Sequence, residues 1–126
     1  MRFLIVVLVF LMCACSSEPP VSVEEFNYPA WQQDKRACSQ TREALWQDLR
    51  KVKSKLIGLN EMEVVAVLGK PDKRSLFSRN QKAALYYLDP APDCKTAHTG
   101  ERRIVRVLFN ALNQAKEITI VVDEGK

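Results

Sequence analysis

The hydrophobic period of this chain changes once, at Pro71, and no other feature limits its fold so tightly. Before Pro71 apolar residues return at helical spacing; after it they alternate, so helices come first and strands second. Cys38, Leu45, Leu49, Val52 and Leu56 follow one another at intervals of seven, four, three and four, which stacks them on one face of a helix. Arg42, Arg50, Lys51 and Lys55 fall largely outside that stripe. Ser39 or an earlier residue supplies the N-cap, and Gly58 ends the helix by taking the left-handed conformation. A shorter second helix is expected with Asn60 as N-cap and Glu63 three residues on, Met62, Val65, Ala66 and Leu68 on its apolar side, and Gly69 and Pro71 behind it. The two helices form a hairpin.

Alternation then marks three strands, Ala84 to Leu88, Arg103 to Asn110 and Lys116 to Val122, with a weaker extended piece around Ser75 to Ser78. Ala111 to Ala115 is a hairpin-length loop that lacks the usual Gly. The expected fold is α+β, a two-helix hairpin packed on one face of a three-stranded antiparallel sheet. Val105, Val107 and Phe109 share the helix-facing side with Ile118, Ile120 and Val122. The other side takes Tyr86, Leu88, Ile104, Leu108 and Val121 beside Arg106 and Glu117. Such a mixed face is either scattered surface apolar residues covered by the N-terminal linker or a partner-docking surface. Tyr86, Leu88, Arg106 and Leu108 are its candidate contact residues. Trp46, near Arg42, Arg50 and Lys53 at the border of the helical stripe, is either edge-of-core packing or a second binding anchor.

Upstream, Arg2 precedes an apolar run from Phe3 to Met12. That run is too short for a permanent membrane helix, which needs roughly 20 apolar residues, and suits the core of an export signal. Leu11-Met12-Cys13-Ala14-Cys15 resembles a bacterial lipobox, with Ala14 before the cut and Cys15 as the acylated thiol, for which palmitate is an expected chain. The alternative is an ordinary secretory signal. Ser16-Ser17, with no aspartate directly after the cysteine, resembles the pattern of lipoproteins sorted to the outer membrane. The expected organisation is a signal peptide over 1–14, a lipidated cysteine and flexible linker over 15–29, and one domain over 30–126. Several acyl chains hold a protein at a membrane more firmly than one, at about 0.8 kcal/mol per buried methylene. A periplasm-facing domain on the outer membrane is the expected product.

With Cys13 removed and Cys15 acylated, Cys38 and Cys94 remain, and an even pair in an oxidising compartment is expected to form a disulfide. A metal site of Cys38, Cys94 and His98 matches zinc spacing poorly, because it offers three ligands with no close pair of Cys or pair of His. No metal and no cofactor are expected. The net charge of +4 is a mild bias. It fits anionic headgroups or an acidic protein better than nucleic acid, since no base-stacking aromatic motif accompanies the basic residues.

Nothing in the sequence carries catalysis. His98 lies in the polar loop Lys95 to Gly100, where a solvated side chain is the default. No Gly-rich phosphate loop, Gly-x-Ser-x-Gly elbow or His-Glu-x-x-His helix occurs. The acid pairs Glu61/Glu63 and Glu24/Glu25 suit first-turn helix charge and linker solvation.

Gly58-Leu59-Asn60, Val64, Leu68-Gly69 and Pro71-Asp72, followed by Tyr86-Tyr87 and Val107-Leu108-Phe109-Asn110, resemble the SmpA/OmlA (BamE-like) family of small outer-membrane lipoproteins. The resemblance covers roughly Leu56 to Val122. It implies two helices followed by a three-stranded sheet, an architecture also found in beta-lactamase inhibitory proteins. It further implies a structural or accessory role at the outer membrane, with an envelope protein as partner, the β-barrel assembly machine or another. The long first helix, the Cys38 and Cys94 pair, the Asp89 to Arg102 connection and the Gly-free last hairpin depart from the best-known member. The competing readings are an inhibitor-like protein, a carrier of a lipid or small ligand, and an enzyme with an unrecognised site.

Overall fold

A computed structural model describes residues 19–123 except 78, 80 and 97. The signal segment and Cys15 lie outside the described residues. Among the described residues three α-helices, where a two-helix hairpin was expected, precede one antiparallel sheet: α1 Tyr28–Gln33, α2 Thr41–Val52, α3 Glu61–Leu68, β1 Lys73–Phe77, β2 Gln81–Tyr87, β3 Arg102–Phe109 and β4 Ala115–Asp123. The strands lie in the order β1-β2-β3-β4. The sheet thus has four strands where three were expected, because the weak piece near Ser75 is a full edge strand paired from Lys73 with Leu85 to Phe77 with Gln81. An edge strand need not bury alternate residues; Leu76 is solvent-exposed, so no period-two signal betrays β1.

The expected linker is also corrected. Val21 and Phe26 are fully buried in the main core, and Trp31 of α1 is buried beside them. A local turn brings this about. Glu25 donates its backbone N–H to Ser22 Oγ, and Ser22 donates its own to Glu25 Oε2, both at 3.2 Å, folding the chain back on itself. Pro29 falls in the first turn of α1, where its missing N–H loses nothing, and Asn27 caps that helix by accepting from Ala30 N–H. The folded unit therefore starts near Val21, not at residue 30.

Helix α2 begins at Thr41 without a side-chain cap of its own, since Gln40 sits at its N-cap position in the left-handed conformation. Asp34, buried in the preceding loop, serves instead by accepting from Ser39 N–H at 2.7 Å and Arg42 N–H at 3.1 Å. Ser39 is thus a capped residue, and Cys38 lies before the helix. Helix α3 keeps the expected cap, with Asn60 Oδ1 accepting from Glu63 N–H at 2.9 Å. Its buried side is Val64, Val67 and Leu68, while Met62 is 82% exposed, a correction of about one-third of a turn.

Helices and sheet close over Leu49, Leu56, Val67, Tyr86, Val107 and Phe109 at the centre of the core. The β3–β4 register places Val105 opposite Ile120 and Val107 opposite Ile118, as the alternation requires. The β2–β3 register pairs Tyr86 with Val105, so Tyr86 and, beyond it, Leu88 belong to the helix side rather than the far side. A short hairpin fixes which residues share a face; the long Leu88 to Glu101 connection does not. In the last hairpin Asn113, at φ 62°, takes the left-handed position that Gly would fill. Asn110 Oδ1 closes that loop by accepting from the N–H groups of Leu112 and Gln114, both at 3.0 Å.

Candidate protein-binding surface

The side of the sheet away from the helices is half covered. Tyr87 and Ile104 pack there against Ala37 and Ala91, with Leu85, Cys94 and Val121 around them. The cover is the β2–β3 connection, held by the Cys38–Cys94 disulfide with Cα atoms 5.3 Å apart. Ala91 N–H donates to Arg36 O at 3.0 Å and Thr96 Oγ1 to Cys38 O at 3.3 Å, so backbone and bridge pin the same two loops. Lys73 Nζ lies over the Tyr87 ring, 5.5 Å from its centroid, and 3.6 Å from Asp123 Oδ2. The Tyr87 hydroxyl beside it pushes the Lys73 ammonium above its ordinary value.

Beyond that cover Leu85, Arg106, Leu108, Thr119 and Val121 remain half-buried, and Glu117 is exposed. Two of the five candidate contact residues, Arg106 and Leu108, are therefore where a partner can reach them. Tyr86 and Leu88 are buried to 1% exposure or less, and Trp46 to 7%, so none of these three is a surface anchor. Tyr86 hydroxyl donates to Gly69 O at 2.8 Å, and burial raises its pKa far above the usual phenol value.

The helix side hides a polar centre. Arg42 is 1% exposed. Its Nε donates to Trp31 O at 3.1 Å, and its Nη1 to Asp72 Oδ2 at 2.5 Å and Tyr87 O at 3.2 Å. The guanidinium lies 5.0 Å from the Trp31 ring centroid and 5.9 Å from that of Tyr86. Asp72 also accepts from Tyr87 N–H at 2.9 Å and Arg36 N–H at 3.1 Å. This pair joins α1, α2, the turn before β1 and the end of β2. The signal for it was available: Arg42, Trp46 and Leu49 are spaced four and three apart, which puts Arg42 on the core stripe.

A second ionic cluster holds the far loop. Asp89 accepts from Arg103 N–H, Nε and Nη2 at 2.8, 2.9 and 2.7 Å, and Arg103 Nη2 reaches Glu43 Oε1 at 3.0 Å. The Arg103 hydrogen bonds hold the Asp89 carboxyl below the usual carboxylate range. His98 is not solvated as expected, since its side chain is 22% exposed. Its Nε2 hydrogen-bonds to Glu101 O at 3.0 Å and lies 4.0 Å from Asp89 Oδ2. These contacts fasten the connection to β3. Among the described residues no group of three or more His, Cys, Asp or Glu side chains is placed to hold a metal.

Comparison with protein-family models, with curated proteins and with solved structures finds no match to this chain.

Proposed function

We propose that this chain is an outer-membrane lipoprotein of BamE-like type, anchored through Cys15, whose folded domain works as an accessory protein-binding module in the envelope. The observation that carries the binding role is the half-buried far face, where Leu85, Leu108 and Val121 stand near Arg106 beside a loop braced by a disulfide. Apolar groups around a guanidinium suit a protein interface. The helix-first order and antiparallel sheet support the family reading, as does the compartment that a disulfide favours. Mass spectrometry of the mature protein tests the anchor: an acylated N-terminal Cys15 is expected, and a chain beginning elsewhere overturns it. Co-purification from mildly solubilised envelopes tests the face. Arg106→Glu and Leu108→Asp are expected to lose a partner that the wild type retains while melting normally; retention of every partner by both variants removes the face from the account.

A further inference from the structure

Strand β4 forms one edge of the sheet, and its backbone shows which groups face outward. Arg103 carbonyl accepts from Leu88 N–H at 3.0 Å, so Arg103 and, by alternation, Val105 and Val107 direct their peptide groups towards β2. Ile104, Arg106 and Leu108 therefore bond to β4 through Val121, Thr119 and Glu117. The peptide groups of Ile118, Ile120 and Val122 are left pointing away from the sheet. Ala115 faces outward too, past the irregularity near Phe109, but its groups are taken. Its N–H donates to Leu59 O at 2.7 Å and its carbonyl accepts from Gly58 N–H at 2.8 Å. Among the described residues the chain thus pairs the first stretch of this edge itself and leaves the rest.

The open stretch carries none of the devices that blunt sheet edges. Ile118-Thr119-Ile120-Val121-Val122 has no charge and no proline, and its pairing with β3 has no bulge. All five residues are β-branched. On the helix side Ile120 and Val122 are 37% and 44% exposed, and Ile57, beside the segment that bonds Ala115, is exposed as well. We propose that this edge pairs antiparallel with the same edge of a second copy of the chain, about a twofold axis at Ile120. This does not rest on the far-face reading, because the edge groups point within the plane of the sheet.

A second copy is favoured over a foreign strand because the pairing sets the exposed Ile120 and Val122 of one copy against the apolar edge residues of the other on the same side of the sheet. Outward-facing residues must oppose one another, so the register moves only in steps of two residues within each strand pair. With the axis at Ile120, Ile118 faces Val122 of the second copy, Ile120 faces its own counterpart, and each pair exchanges two N–H···O bonds. With the axis at Thr119, Asp123 of the second copy would run against the Gly58–Leu59 segment at Ala115. With the axis at Val121, one of the bonded pairs is lost. The Ile120 register sets Glu117 opposite Asp123 of the second copy, a like-charge contact that Lys73, 3.6 Å from Asp123, offsets.

The test is the molar mass of the mature protein in mild detergent, measured by light scattering with the detergent contribution separated. A dimer is expected. Ile120→Pro removes the outward N–H alone, a change that an edge strand tolerates, and Ile120→Lys sets two charges at the axis. Each should weaken dimerisation by at least about tenfold with the melting profile retained. Ile120→Cys should form a disulfide-linked dimer under mild oxidation, whereas Lys51→Cys, on the exposed side of α2, should not. A monomer at about 100 µM overturns the proposal, as does a dimer that survives Ile120→Lys and fails to cross-link at position 120.

Discussion

The two faces of the sheet are covered by different means. On the helix side, Trp31, Tyr86 and Phe109 close an apolar core around the buried ion pair of Arg42 with Asp72. On the far side a loop does the covering, held by a disulfide and by the Asp89–Arg103 pair, and half of the face is left open. Removing a partner from a buried pair strands the other charge, whereas an exposed ion pair adds little. The helix side should therefore behave as the scaffold, and the far side should tolerate change in proportion to its distance from the pinned loop.

The largest expected effect is at Arg42. Arg42→Ala leaves Asp72 buried and unpaired, opens two backbone carbonyls and removes the ring contacts, and should destabilise the domain by up to about 5 kcal/mol in urea unfolding. A loss of less than about 1 kcal/mol would mean that the pair does not organise that face. Cys38→Ser with Cys94→Ser comes next, at about 4 kcal/mol by chain entropy for a bridge spanning 56 residues. In that variant, amide exchange should rise first in the β2–β3 connection; a uniform rise across the helices would show that the bridge supports the whole domain rather than its far side.

Asp34→Ala should cost about 1–2 kcal/mol, because α2 loses an acceptor for two N–H groups. The acid limb of stability adds a smaller effect. Asp89 has a lowered pKa in the folded state, so its contribution is complete above the unfolded value of about 3.9 and is lost as pH falls through the folded one. The stability difference between wild type and Asp89→Asn should thus be flat from about pH 7 to 5 and shrink below about pH 4. A difference that grows on acidification contradicts the assigned role. Smallest of all, Leu108→Ala should change stability by less than about 1 kcal/mol, since its side chain is only half-buried.

Much of this was legible in the sequence where local chemistry decides. The Asn60 cap, Gly69 as the end of α3, and the Ile118/Ile120/Val122 face follow from spacing and turn residues; Gly58 is left-handed as expected, but α2 already ends at Val52 and a 3-10 turn over Lys53–Lys55 intervenes. The Cys38–Cys94 bridge follows from the even number of cysteines left once Cys13 and Cys15 are set aside. Long-range choices were not legible. Residues 21–27 read as linker because they sit in a stretch, Ser16 to Pro29, whose three prolines and three glutamates outnumber the two apolar residues that fold inward. Tyr86 lies on the helix face and not on the far face that alternation suggests, because nothing local fixes register across the β2–β3 connection. Of the candidate contact residues, Arg106 and Leu108 are half-buried on the far face, and Tyr86, Leu88 and Trp46 belong to the core.

Site-specific photocrosslinking in intact cells tests the central claim most directly. A photoreactive residue replacing Leu108, on the open part of the far face, is compared with one replacing Lys51, exposed on α2. Position 108 should give a discrete heterologous adduct that Arg106→Glu abolishes, and position 51 should give none. Equal adducts from both positions, or none from position 108 in a correctly folded and anchored protein, would contradict that claim.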